Sequence, residues 1–254
     1  MVTWGPSTNH PEHYARKVLE AAMYLHVTFA SDQWLWRGQS QHKSLRPGMH
    51  SRVFRLPKAQ QTEQKVRDAT RDLISAARKA RLDEFDGATL PDIALLSHLQ
   101  HHGAATPLLD VTVDPLVALW MAANATIASP GAADDKTGYL FAIRQPTEHI
   151  AIMDARPHAE ISEAMPATDV HWYRSPDVSE RLRIQRGSFV LGRLDTANEA
   201  SHTIPLREGT HPDWLKNRMA RMGQKNPVKS QSDVFAIRIR GACKSYLRRL
   251  LAER

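Results

Sequence analysis

Two well-marked helices lie between Pro91 and Ala123, and their boundaries limit the folds open to this chain. Pro91 and Gly103 bracket one helix, because proline suits the first helical position and glycine the position just past the last. Asp114 opens a second helix: its carboxylate can accept first-turn N–H groups, Pro115 follows at the first helical position, and Leu116, Leu119, Trp120 and Ala123 supply an apolar face. Between the two helices, Gln100 to Thr112 crowds imidazole, amide, hydroxyl and carboxylate groups into a glycine-containing turn. The longest apolar stretch, Leu108 to Ala128, contains Asp110, Asp114 and Pro115, which a membrane-spanning helix does not readily carry.

The remaining pattern is mixed. Residues 11–30 read as a helix with Val18, Ala22, Leu25 and Phe29 at helical spacing, and residues 58–82 as a basic amphipathic helix whose stripe is Val66, Leu73, Ile74 and Ala77. A short aromatic strand covers Gln33 to Arg37, ending at Gly38, and a loop marked by Pro47 and Gly48 follows. Further strands are expected over Thr137 to Arg144, Arg186 to Leu191 and Val234 to Ile239, with a basic helix over residues 241–252. Helices in the first half and strands mostly in the second predict an α+β architecture in one domain over residues 1–254. Residues 195–232, rich in proline and glycine, read as a long loop or insertion. The sequence holds no internal repeat.

Composition narrows the class. With 42% hydrophobic and 24% charged residues among 254, the chain can bury a large core and is neither disordered nor fibrous. The single cysteine, Cys243, excludes an internal disulfide framework and any multi-cysteine zinc or iron–sulfur site. Met1 to Arg16 has no basic start followed by an apolar run, so a cytoplasmic protein without a membrane segment is expected. The net charge of +7 is unevenly spread: residues 43–81 carry +8, residues 82–180 carry −11 and residues 207–254 carry +8. Two basic blocks flank an acidic middle, which suits either an anion-binding face or surfaces that pair within the fold.

Three clusters carry chemistry. In Trp34-Leu35-Trp36-Arg37-Gly38-Gln39, an arginine ends an aromatic strand and can hold a phosphate or carboxylate by two parallel hydrogen bonds, while the glycine lets a ligand approach the backbone. The same arginine suits a buried ion pair equally well. The second cluster runs from Gln100 through His101, His102, Gly103, Thr106 and Asp110 to Thr112, beside a helix N-terminus that can attract an anion. Asp110, Thr106 and Thr112 also fit a purely structural office as caps and braces of the turn. The third, Glu180 to Phe189, contains Gln185-Arg186-Gly187-Ser188-Phe189, an amide beside a permissive backbone. His98 and His102 stand four apart on one helix, but Leu99 occupies the glutamate position of a zinc-hydrolase pattern, so no metal is expected.

Taken together, the clusters resemble the FRG domain family. Its Phe-Arg-Gly signature is similar to Trp36-Arg37-Gly38, followed by Gln39; its central Gln-His-x-Gly-x-Pro-Thr-Arg-Leu-Leu-Asp-Trp-Thr and Pro-x-x-Ala motif resembles Gln100 to Thr112 and Pro115 to Ala118. Its later Gln-x-Gly-x-Phe motif resembles Gln185 to Phe189. The likeness runs over roughly residues 30–250, with Ala105, Pro107 and Val111 standing where the family pattern has proline, arginine and tryptophan. FRG domains resemble the ADP-ribosyltransferases, which implies a split β-sandwich with a helical N-terminal part, NAD as substrate, and transfer of ADP-ribose to a protein or nucleic-acid acceptor. A toxin or phage-defence role is also implied by the resemblance. On that reading Arg37, Gln185 and Asp110 are catalytic, with Glu180 an alternative carboxylate, and Arg37, Gly38, Gln39, His101, Thr106 and Thr112 hold the dinucleotide. A nucleic-acid- or nucleotide-binding module without catalysis is the competing expectation, with the two basic blocks on phosphates and Trp214 or Tyr246 stacking on bases.

Overall fold

A computed structural model describes residues 3–28, 34–85, 87–126, 128–146, 148–150, 170–174, 186–197, 199–208 and 233–252. The chain divides into two compact units, each assembled from separate stretches: Met1–Lys43, Val111–Gln145 and Leu206–Arg254 in the first, Ser44–Asp110 and Pro146–Pro205 in the second. Helices and mostly antiparallel strands are mixed, as the α+β expectation has it. Among the described residues no helix is long and apolar enough to cross a membrane.

In the first unit, strands β1 (Thr3–Trp4), β2 (Trp34–Gln39), β5 (Leu109–Thr112), β6 (Gly138–Arg144) and β10 (Val234–Ile239) pair in the order β1-β10-β6-β2-β5. The strand β5 begins in the second unit and enters the first at Val111. Only β1 runs parallel to its neighbour. Helices α1 (Pro11–Thr28), α5 (Pro115–Ala123) and α6 (Lys244–Ala252) bury Val18, Leu25, Leu119 and Leu247 against Trp34, Trp36, Leu140, Ala142 and Ile237. These strand residues alternate along the chain, so they share one sheet face. Asp114 caps α5 by accepting the Leu116 N–H at 2.9 Å, with Pro115 next to it, as its sequence dictates. Trp120 points away from this core and is 43% exposed, because only the Leu119 side of the helix meets the sheet.

One cation is fully buried here. Lys244 Nζ donates to the carbonyls of Ser40 and Ala133, and Arg248 forms a two-pronged pair with Asp134 while donating to the Ala123 carbonyl at 2.7 Å. Burial pulls the Lys244 ammonium below its ordinary value, and the bonded Arg248 guanidinium lowers Asp134. The helix α6 thereby ties down the residue that follows β2 and the turn before β6.

The second unit contains α2 (Gly48–Val53), α3 (Glu63–Lys79), α4 (Asp92–His101), the hairpin β3 (Glu84–Phe85) and β4 (Ala88–Thr89), and strands β7 (Glu148–Ile150), β8 (Val170–Tyr173) and β9 (Gly187–Gly192) in the order β9-β8-β7. The expected helix over 58–82 appears as a 3-10 turn, Lys58–Gln60, and then α3, capped by Thr62 Oγ1 accepting the Lys65 N–H. Gly103, with φ +89°, ends α4: its N–H reaches Gln100 O and that of Ala104 reaches Leu99 O, both at 2.9 Å. That pair of bonds is a Schellman motif, which a glycine adopts without steric cost.

Candidate functional site

Alternation along β2 separates its two motifs. Trp34, Trp36 and Gly38 look toward the helices, so Leu35, Arg37 and Gln39 occupy the opposite face. The register sets Arg37 beside Phe141, and Gln39 beside Tyr139, on β6, and Tyr139 in turn beside Arg238 on β10. Residues directly opposite across a ladder point the same way. Arg37, Gln39, Tyr139 and Arg238 therefore share one end of one sheet face. The Tyr139 and Phe141 rings stack at 5.9 Å and 23°, and the exposed His42 meets Tyr139 edge-on at 5.0 Å. An exposed guanidinium, a half-buried one, an amide and a stacked phenol make a surface able to take anionic and aromatic groups together.

Gly38 is required by packing. A β-carbon built there would lie 1.8 Å from Ala118 O and 2.7 Å from Ala122 N, both backbone atoms of α5. The helix thus fills the space beside this residue. Thr112 stands opposite Trp36 and hence on the helix-bearing side, where its Oγ1 accepts the Asp114 N–H at 3.1 Å. In the first unit, then, Arg37 and Gln39 are together on one face, and Gly38 and Thr112 look to the other.

The second unit gathers the rest of the central motif. Gln100 Nε2 donates to Asp110 Oδ1 at 2.6 Å, while the Thr106 hydroxyl donates to Gln100 Oε1 and accepts the Leu108 N–H. Thr106 O also accepts the Met49 N–H, so the fully buried threonine ties α2 to the turn. The bracing role read for Thr106 and Asp110 is realised in this network; Asp110 also presents an exposed carboxylate. His101 is half-buried at the end of α4, its ring 5.4 Å from His102, which lies 4.7 Å from His98. Burial first, and the two neighbouring imidazoles second, hold His98 below the usual histidine value. Among the described residues no group of three or more His, Cys, Asp or Glu is arranged to hold a metal. Gln185, Glu180, Arg181 and Trp214 lie outside the described residues.

Within the first basic block, the arginines of α3 are paired with carboxylates. On α3, Arg67 bonds Glu63, Arg71 bonds Asp68, and Arg78 bonds both Asp83 and Asp92. Arg249 lies over one face of the Tyr246 ring, 5.1 Å from its centroid. Sequence reading overlooks Tyr139 and His42. Only pairing between strands about a hundred residues apart in sequence sets Tyr139 and Arg238 in line with Gln39.

Residues 32–129 match the family model of the FRG domain. No curated protein and no solved structure matches the chain.

Proposed function

We propose, from the membership of this chain in the FRG domain family through residues 32–129, that it is an NAD-dependent ADP-ribosyltransferase-like enzyme. The observation that carries the reading is the sheet face on which Gln39, Tyr139 and Arg238 form a row, with Arg37 at the same end one step along β2. Two guanidinium groups match the two negative charges of a pyrophosphate, and the phenol offers an aromatic surface to a base or to nicotinamide. The chemistry demands little beyond positioning. The electron pair of the bond between ribose C1′ and the nicotinamide nitrogen leaves with nicotinamide, whose ring loses its positive charge, and the ribose becomes oxocarbenium-like. A nucleophilic atom of the acceptor then bonds C1′ and gives up its proton. Fixed amide and carboxylate groups favour this sequence by stabilising the developing charge.

In this proposal Arg37 holds the pyrophosphate and Gln185 orients a ribose hydroxyl. Glutamine cannot act as a general base, so the acceptor's proton goes to a carboxylate, for which Asp110 and Glu180 are the candidates. The test is incubation of the full chain with NAD and cell-extract protein or nucleic acid, following free nicotinamide, beside Arg37→Ala, Gln185→Ala and Asp110→Ala. Release by the native chain, reduced about a hundredfold in Arg37→Ala, is the expected result. No release with any acceptor overturns the transferase reading. A toxin or phage-defence role follows from the same proposal and is read by growth arrest on expression, relieved by Arg37→Ala.

A further inference from the structure

The second unit contains a hollow of about 490 Å³ bounded by α2, α3 and the turn after Gly103. Met49, Val53, Leu56, Ala69, Leu73 and the alanine pair Ala104-Ala105 line it, and Arg52, Lys65 and Asp72 complete its wall. A largely apolar hollow of this size, open to solvent on one side, falls within the range of small-molecule sites. Its walls are fixed by local bonds. The Met49 N–H binds Thr106 O at 2.9 Å, and a β-carbon at Gly48 would already stand 3.1 Å from Ala105 Cα, so α2 is seated tightly on the turn. Thr70 and Thr62 fix α3 through their bonds to Val66 O and the Lys65 N–H.

Its charge selects the ligand. Arg52 and Lys65 are exposed and neither forms an ion pair among the described residues, whereas most arginines of α3 are paired with carboxylates. Two cations against Asp72 leave one net positive charge beside an apolar chamber. We propose that this cavity binds a monoanionic amphiphile, a medium-chain carboxylate whose acyl body enters among Met49, Val53, Ala69 and Leu73 and whose head group meets Arg52 and Lys65. The proposal does not depend on NAD chemistry.

Calorimetric titration of the full chain with decanoate, decanol and decyltrimethylammonium, each below its micelle concentration, tests the assignment. Decanoate should bind one per chain, decanol at least fivefold more weakly, and the cationic chain not at all. The double variant Arg52→Glu/Lys65→Glu, on exposed positions that leave the fold intact, should weaken decanoate at least tenfold. Ala69→Trp should abolish binding by filling the chamber, with circular dichroism verifying that α3 persists. Absence of saturable decanoate binding, or binding indifferent to the charge reversal, overturns the proposal.

Discussion

His50 is fully buried on α2, its Nδ1 3.0 Å from Thr203 Oγ1, and its Nε2 is a buried atom with no partner among the described residues. Burial is the main cause that pushes its pKa down to about 4, opposed by the bond to Thr203 and aided by the nearby Arg46 charge. The unfolded chain takes up this proton below about pH 6.5, while the folded chain resists until about pH 4. Stability supplied by neutral His50 is therefore complete above pH 6.5 and is lost as pH falls toward 4, by about 3 kcal/mol in total. Chemical denaturation at pH 7 and pH 5 should show about 2 kcal/mol of this loss, and His50→Gln should flatten that part of the profile; an unchanged slope in the variant would assign it to other groups. Nothing near Pro47-Gly48 in the sequence announces a buried histidine. A six-residue helix with no side-chain cap is held by bonds to Thr106 and Thr203, which are distant in sequence, and local propensity does not report such bonds.

Between elements, the contact of β2 with α5 organises the first unit. Gly38→Ala places a methyl group against the Ala118 carbonyl and the Ala122 N–H, neither of which can move without shifting the helix. The variant should lose about 3 kcal/mol or more, read as a lower denaturation midpoint. A midpoint equal to that of the native chain would mean that α5 does not sit as tightly on β2 as described. The boundaries of α4 and α5 are legible in sequence because their caps are local: Gly103, Asp114 and Pro115 act within a few residues of themselves. The strand β5 is not legible, since Leu109–Thr112 reads as part of a turn until β2 pairs with it. Along β10 a two-residue alternation is blurred, because Val234 and Ala236 are buried along with Phe235 and Ile237. Trp120 fails as a core residue for the complementary reason. Helical spacing gives a face, and the angle at which the helix meets the sheet decides how wide that face is.

Across the molecule, sequence order and spatial grouping part company. The first unit draws on three separated stretches, which periodicity cannot foresee because strand partners are chosen by long-range pairing. The net charge of +7 likewise says little about a binding face once the arginines of α3 are seen in pairs with their own carboxylates. The candidate site was half legible: the Trp-Arg-Gly-Gln run pointed to Arg37 and Gln39, and the sheet register added Tyr139 and Arg238. The motif residues Thr106 and Asp110 meet through Gln100, a contact that their closeness in sequence made readable. Recognition of NAD by the face around Arg37, as proposed, is tested by equilibrium titration of NAD into the intact chain. Saturable binding by the native chain, weakened at least tenfold by Arg37→Ala and by Arg238→Ala with thermal midpoints unchanged, is the predicted result; no NAD binding, or binding untouched by either substitution, would contradict it.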